Sequence, residues 1–486
     1  MTDHDQRTMV RDTVRNIHMM GICGMGMGSL ALLLQSLGYH IRGSDENIYP
    51  PMSTQLRAKG IEIIEGYRPE NLVPRPDLVI VGNVIRKTNP EAEALIRSDI
   101  PYCSMAEALK EFFLRDKSPV VIAGTHGKST TSTLATWVMI TAGLDPGAFI
   151  GAVSLNWGSS YRIGSGKYFV VEGDEYDTAF FDKTSKFFHY LPRIVILTSV
   201  EFDHADIFRD FKMVKNAFEK FLKQVPDDGV IIANWSDETV KELLSGVKGP
   251  EVLKFGEQGG LDSVLRSYSI KDGKTMFDIE YSLGSDQMRN ETFITGLYGR
   301  HNLFNIMSVR LLAGYLGISK DEFQRALDTF RGLKRRQEIV GEADGVLVID
   351  DFAHHPTAVR ETISAIKESH RKRRLLAVFE PRSNSSRRKI FQNEYERAFN
   401  DADVVCIKEP PERGDLRSDE KLDTRKIIDT IQKSGKETYL FEDFDTLLQF
   451  LLDYTVKGDV VLFMSNGAFD LLPKRLFEYL VKRSMK

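Results

Sequence analysis

The chain has 486 residues, 42% of them hydrophobic and 28% charged, with a net charge of −4. This length exceeds what one hydrophobic core holds and sets an expectation of about two to four domains. The composition is that of a globular protein. The balanced charge gives no overall electrostatic case for nucleic acid, and no stretch is apolar for the length a bilayer crossing needs. Cys23, Cys103 and Cys406 are too far apart for a disulfide framework or metal-ligand spacing and fit a reducing cytosol. Residues 1–16 are polar, carry both charge signs and lack an apolar h-region, so a frayed leader is expected there rather than a signal peptide.

Ile17-His18-Met19-Met20 reads as a short strand entering a Gly-rich turn over residues 21–28. A helix over Ser29 to Leu37 and a second strand over Tyr39 to Asp45 complete a βαβ unit. Its glycines let backbone approach a diphosphate, and Asp45 is placed to meet a ribose or base. Ser29 takes the third glycine slot of Gly-x-Gly-x-x-Gly, so a dinucleotide, a UDP-sugar and a plain structural turn all stay open here. Strands at Ile61–Ile64 and Leu78–Asn83 and helices at Pro90–Ser98 and Ala106–Leu114 continue the alternation. Strand tips such as Gly82-Asn83-Val84 should line the crevice at the C-terminal edge of a parallel sheet. Lys117-Ser118-Pro119 is the natural boundary.

Next, the apolar run Val120–Ala123 meets Gly124-Thr125-His126-Gly127-Lys128-Ser129-Thr130-Thr131, then a helix-prone segment over Ser132–Ile140. Loop N–H groups and a helix N-terminus form an anion nest. Lys128 reaches terminal phosphates, and a hydroxyl from Ser129 or Thr130 joins a Mg²⁺ shell. Ile122 occupies the slot of the first glycine in the longer phosphate-loop pattern; a capped helix after a buried strand is the plain alternative. The strand at Tyr168–Val171 ends in Glu172, Asp174, Glu175 and Asp177, carboxylates that repel one another unless cations screen them. An acid at such a strand tip holds Mg²⁺ in phosphate-loop proteins, with Glu172 the first choice; a solvated acidic loop is the alternative.

Ile194–Leu197 leads to Asp203-His204-Ala205-Asp206, where two carboxylates flank His204 and favour a metal or catalytic role. Lys215 lies in the helix that follows, near its apolar face, where a snorkelling surface lysine is the plain reading. Residues 252–296 read as a β-rich insert with turns at Asp272-Gly273 and Gly284-Ser285. Gly299-Arg300-His301 opens a helix with Asn302 and Asn305 on one face, suited to a base edge or, for Asn302, to capping. Arg331–Arg336 is a basic hinge able to put a guanidinium on a γ-phosphate. Four further strands end in polar loops at Asp350-Asp351, at Glu380-Pro381-Arg382-Ser383-Asn384, at Lys408-Glu409-Pro410-Pro411 and at Ser465-Asn466. Arg382, Ser383 and Asn384 suit a carboxylate-rich ligand, with helix capping as the alternative.

In this order and spacing, these motifs resemble the Mur ligase family from about Ile17 to the C-terminus. They comprise the Gly-rich turn with Gly43-Ser44-Asp45, Gly124–Thr130, Glu172–Glu175, Asp203-His204, Gly299–Asn305, Arg335-Arg336 and Asp351 with His354-His355-Pro356. The resemblance implies three α/β domains: a Rossmann-like UDP-binding domain over 1–116, a central P-loop ATPase domain with a parallel sheet and a small β-rich insert over 117–337, and a C-terminal Rossmann-like α/β domain over 338–486. It implies a cytoplasmic ligase of peptidoglycan synthesis or recycling, a monomer or weak homodimer that uses ATP and Mg²⁺ and has no nucleic-acid or membrane partner. ATP would phosphorylate the muramoyl carboxylate, and an amine would attack the acyl phosphate to give amide, ADP and phosphate.

Gly82–Ile85, Val171–Asp182 and Glu380–Asn384 are most similar to the branch that joins UDP-N-acetylmuramate to the tripeptide L-alanyl-γ-D-glutamyl-meso-diaminopimelate. The branch that adds free L-alanine is the alternative. Carried over by position, Gly124, Thr125, His126, Gly127, Lys128, Ser129 and Thr130 surround the ATP phosphates. Ser129, Thr130 and Glu172 hold one Mg²⁺ and His204 a second. His301, Asn302 and Asn305 serve the nucleotide, Arg336 the γ-phosphate and Asp351 the ribose region. Gly24, Met25, Gly26, Met27, Ser44, Asp45 and Asn83 serve the UDP-sugar, and Arg382, Ser383 and Asn384 the peptide. Some members carry a carbamylated lysine, and Lys215 stands near that place. Two other classes compete: an NAD-dependent oxidoreductase built on residues 17–115, which leaves Lys128, Glu172 and His204 unexplained, and a nucleotide switch that binds ATP without forming an amide.

Overall fold

The computed structural model describes residues 11–283, 288–410, 412, 414 and 416–485; the start of the expected leader, the turn at Gly284-Ser285 and Pro411 lie outside the described residues. Apolar runs build three sheets. The first is parallel, with β1 (Asn16–Met20), β2 (His40–Asp45), β3 (Glu62–Glu65), β4 (Leu78–Val81) and β5 (Tyr102–Ser104) in the order β3-β2-β1-β4-β5. β4 is buried along its whole length, which is why it reads as an unbroken apolar run rather than an alternation.

The second sheet is mixed. It holds β6 (Ser118–Ala123), β7 (Gly147–Phe149), β8 (Tyr161–Arg162), β9 (Tyr168–Gly173), β10 (Ile194–Leu197), β11 (Val230–Asn234), β12 (Glu251–Gly256), β13 (Ser263–Lys271), β14 (Lys274–Tyr281) and β15 (Arg289–Thr295), in the order β15-β14-β13-β12-β11-β10-β6-β9-β7-β8. β6 pairs in parallel with β10 on one side and β9 on the other, so the phosphate loop, the acids after Val171 and the loop after Leu197 leave the same sheet edge. The β-rich insert joins this sheet as the antiparallel strands β13 to β15. Asp272 and Gly273 have positive φ, as their tight turn needs.

The third sheet contains β16 (Glu338–Ala343), β17 (Val346–Asp351), β18 (Arg374–Phe379), β19 (Val404–Lys408), β20 (Glu437–Phe441) and β21 (Asp459–Met464), in the order β16-β17-β21-β18-β19-β20. β16 and β20 were not expected from sequence. They are edge strands with partly exposed faces, so they lack the apolar run that marks a central strand.

Contacts gather the described chain into two compact units. One runs to Val153 and adds Gly158–Val200 and Lys212–Lys254; the other comprises Ser154–Trp157, Glu201–Phe211 and the chain from Phe255 onward. No helix among the described residues is long and apolar enough to cross a membrane.

The insert braces the helix Arg300–Tyr315, which carries Asn302 and Asn305. Arg310 on that helix donates twice to Glu291 on β15, at 2.8 Å each, and its guanidinium lies 4.1 Å from the Tyr281 ring centre. Both charged side chains are over nine-tenths buried. Arg310→Met strands a buried carboxylate and is expected to lower stability by about 3–5 kcal/mol. Urea denaturation checks this, and Arg310→Met combined with Glu291→Leu should recover most of the loss.

Candidate active site

The first unit carries the phosphate loop. Two backbone demands explain its glycines. Gly124 has φ +135°, and a Cβ there would lie 2.2 Å from Thr198 Oγ1; Gly127 has φ +81° and caps the helix Lys128–Thr141. The loop is fastened to the end of β10. Thr125 N–H donates to Ser199 O (2.9 Å), His126 N–H to Ser199 Oγ (3.2 Å), and Thr198 Oγ1 to His126 O (2.5 Å). The expected anion nest is therefore narrower than the motif suggests. The Thr125 and His126 amides already have acceptors, which leaves the helix N-terminus at Lys128, Ser129 and Thr130 as the part of the loop suited to an anion.

Lys128 Nζ donates to Gly124 O (2.7 Å) and Glu175 Oε2 (3.0 Å) and lies 3.9 Å from Asp174 Oδ1. Burial works against its charge, but Glu175 and Asp174 outweigh it and raise its pKa above the ordinary lysine value. The acidic run after β9 is screened by lysines: Glu175 by Lys128, Asp177 by Lys183 at 2.6 Å, and Asp174 by Lys128 and by Lys186 at 3.8 Å. Lys186 carries no sequence motif and was missed.

Glu172 is handled differently. Its Oε1 accepts from Gly151 N–H (2.7 Å) and its Oε2 from the Ser129 hydroxyl (3.2 Å). Two hard oxygens at that separation match an octahedron edge around Mg²⁺, about 3 Å for bonds of about 2.1 Å. The donor set fits the ion.

Glu172 also lines a cavity of about 270 Å³. Its lining includes Gly24, Met25, Gly26 and Met27 of the Gly-rich turn, Asn83 after β4, and Glu172, Tyr176 and Lys186. The helix starts earlier than expected, over Met25–Ser36, so the turn's later glycines lie inside it. Gly28 is glycine for packing, because a Cβ there would sit 2.2 Å from Met52 Sδ.

Ser44 and Asp45 are not in the cavity wall. Asp45 accepts from Cys23 N–H of the turn (2.8 Å) and from Asn47 N–H of its own loop (2.9 Å). The Ser44 hydroxyl donates to Glu91 (2.9 Å), whose buried carboxylate also meets His18 Nε2 (2.5 Å) and Asn71 Nδ2 (2.7 Å). Lys215 Nζ donates to both Glu242 oxygens at 2.7 Å.

The second unit gathers the other predicted residues into two groups. In the first, Asn302 and Asn305 are buried on one helical face and bonded to each other at 3.1 Å. Gly299 is the cap residue, so capping by Asn302 does not apply; Asn302 Nδ2 instead donates to Tyr298 O (2.8 Å). Gln337, unmarked in the sequence reading, joins them. Its side chain lies 3.5 Å from Asn302 Nδ2 and 3.5 Å from His301 Nε2, and its N–H donates to Asp351 Oδ2 at 2.7 Å. Burial raises the pKa of Asp351, against the pull of Arg336, which stacks 4.6 Å from the Phe352 ring centre. Burial likewise raises the neighbouring Asp350 to about 6, against Arg335 at 3.4 Å.

In the second group, His204 has φ +53° and donates its N–H to Asp203 Oδ1 (2.7 Å). Burial pushes the Asp203 carboxyl up, but His204, His354 and His355 outweigh it and hold it below its ordinary value. The same loop meets the residues after β18. Ala205 N–H donates to Ser385 Oγ (3.2 Å) and Asn384 Nδ2 to Asp206 Oδ2 (2.8 Å). Ser383 Oγ accepts from Ser386 N–H (2.9 Å) in a turn, and Arg382 lies 3.6 Å from buried Glu380.

Three family profiles match the chain: "Mur ligase family, catalytic domain" over residues 16–117, "Mur ligase middle domain" over 122–313 and "Mur ligase, glutamate ligase domain" over 335–467. The chain is 38% identical over 469 residues to the UDP-N-acetylmuramate–L-alanyl-gamma-D-glutamyl-meso-2,6-diaminoheptandioate ligase of Escherichia coli (strain K12), covering 96% of this chain and 99% of that one. It is similar to the crystal structure of a murein peptide ligase from Psychrobacter arcticus, with a TM-score of 0.72 and 32% identity over 96% of this chain and 99% of the other. It is also similar to a UDP-N-acetylmuramate-alanine ligase from Thermotoga maritima, with a TM-score of 0.78 and 25% identity over 97% and 100% of the two chains. Sequence identity and backbone similarity rank the two branches differently. Backbone is shared across branches, whereas side chains select substrates, so identity is the better guide to the branch.

Proposed function

The chain belongs to the Mur ligase family and is an ATP-dependent ligase that forms a C–N bond, and on that premise we propose that it joins UDP-N-acetylmuramate to L-alanyl-γ-D-glutamyl-meso-diaminopimelate in the recycling of cell-wall peptidoglycan. The observation that carries the chemistry is the double placement of Glu172. It bonds the Ser129 hydroxyl of the phosphate loop and also lines the cavity bounded by the Gly-rich turn. A sugar nucleotide with its diphosphate on Gly24 and Gly26 therefore points its acid end toward the γ-phosphate on Lys128. Identity to the E. coli relative favours the tripeptide branch.

Lys128 exchanges Glu175 for the β- and γ-phosphates, and Ser129, Thr130 and Glu172 hold Mg²⁺, which supplies charge neutralisation. The carboxylate oxygen attacks the γ-phosphorus as the bond to ADP breaks. The peptide amine then attacks the acyl carbon, losing a proton as phosphate departs. Positioning and electrostatics supply the catalysis. In this assignment Asn302, Asn305 and His301 serve the nucleotide base, Asp351 its ribose and Arg336 its γ-phosphate. His204 holds a second Mg²⁺, and Arg382, Ser383 and Asn384 take the peptide. The three segments 1–116, 117–337 and 338–486 divide these tasks. A carbamate on Lys215 would set negative charge against Glu242, so in this assignment Lys215 stays an amine.

Phosphate release from ATP and Mg²⁺ with UDP-N-acetylmuramate tests the reading. Turnover is expected with the tripeptide and not with free L-alanine. Turnover with L-alanine alone would move the chain to the other branch, and silence with both would refute ligase activity on this sugar nucleotide.

A further inference from the structure

We propose that Lys186 is the cationic contact for the carboxylate of the sugar nucleotide, holding it toward the phosphate loop. The inference rests on the functional reading above and adds a residue to it.

Lys186 is set by construction. Its N–H donates to Tyr176 O (3.1 Å), Phe187 N–H donates to Asp174 O (3.2 Å), and Asp177 and Ser185 form a β-bridge. The turn that carries Lys186 is thus tied to the acidic run. The side chain is over nine-tenths buried, with its ammonium 4.0 Å from the Tyr176 ring centre. Burying a lysine costs heavily unless an anion compensates. Its nearest carboxylate oxygen, Asp174 Oδ2, is 3.8 Å away, beyond hydrogen-bond length, and that oxygen accepts from the Tyr176 hydroxyl at 2.6 Å. Burial accordingly lowers the pKa of Lys186. Asp174 and Asp177 compensate its burial only in part, and it stands in the cavity wall.

Position selects which anion completes it. Lys186 and Lys128 flank the same carboxylate, Asp174, at 3.8 and 3.9 Å. Lys186 is therefore a close neighbour of the phosphate-loop lysine, and it lines the same cavity as Gly24 and Gly26, which suit the diphosphate. A carboxylate arriving there meets Glu172 and Asp174 as well as a γ-phosphate, all negative. A buried ammonium offsets that repulsion, which is strong where water is excluded.

The test compares UDP-N-acetylmuramate with UDP-N-acetylglucosamine, which lacks the lactyl ether that carries the carboxylate, by calorimetry on wild type, Lys186→Met and Lys186→Arg. Lys186→Met is expected to weaken UDP-N-acetylmuramate roughly 10- to 100-fold and to leave UDP-N-acetylglucosamine within about twofold. The KM for ATP should not move. Lys186→Arg, which keeps the charge, should retain most of the discrimination. Equal weakening of both nucleotides, or of neither, would overturn the assignment. If Lys186→Met fails to fold, Lys186→Gln carries the same comparison. The functional reading is checked separately: wild type that forms the amide while Lys186→Met keeps full discrimination refutes only the role of Lys186, whereas wild type that forms no amide refutes the ligase reading itself.

Discussion

Replacing Lys128 with Met is expected to lower kcat about a thousandfold, as loss of a preorganised charge on a transferring phosphoryl group does. The same change also removes the ammonium 3.0 Å from Glu175, a carboxylate almost wholly buried. Breaking a buried pair from one side costs about 3–5 kcal/mol of stability, so a rate loss alone would not separate catalysis from folding. Lys128→Met with Glu175→Gln separates them. The double variant also removes the buried negative charge and should recover melting temperature, yet turnover should stay down about a thousandfold. Phosphate release and thermal unfolding, measured on the same preparations, check both halves. Recovery of rate in the double variant would show that Lys128 acts on Glu175 rather than on phosphate.

Glu172→Gln should cost roughly 10²- to 10³-fold in turnover and carry a distinct signature. Glutamine keeps a carbonyl to accept from Gly151 N–H, so the local fold persists, but the charge beside the Ser129 hydroxyl is gone. The Mg²⁺ concentration for half-maximal rate should rise about tenfold or more, because a neutral amide is a far weaker partner for a hard cation. Ser129→Ala, which removes a neutral donor, should shift it less. Titration of Mg²⁺ at saturating ATP reads this, and an unchanged requirement in Glu172→Gln would take the ion away from this carboxylate.

The phosphate loop, the acid-tipped strand after Phe169 and the Asn302/Asn305 face were legible because each needs only local pattern: an apolar run, a turn, a helical spacing. The alternating burial of β14 likewise follows from period two. What sequence could not show depends on contacts far along the chain. Asp45 stands at a strand tip, as a ribose-binding acid would, and its bond to Cys23 of the Gly-rich turn joins residues far apart in sequence. Gly28 looks like part of a diphosphate loop, but Met52 is what demands a glycine there. Lys186 sits in an unremarked Ser-Lys-Phe-Phe run, and only the fold brings it to Asp174, twelve residues upstream. Gln337 was hidden beside Arg335 and Arg336, whose charges drew the eye, although its positive φ and its bond to Asp351 make it the link between the asparagine pair and that carboxylate.

The most direct test of the account is a competition in one tube. The protein is given ATP, Mg²⁺, UDP-N-acetylmuramate and equimolar L-alanine and L-alanyl-γ-D-glutamyl-meso-diaminopimelate, and the nucleotide products are weighed by mass spectrometry. The account predicts that the UDP-N-acetylmuramoyl tripeptide dominates, with ADP formed in equal amount. A product carrying a single alanine, or ADP formed without any amide, would contradict it.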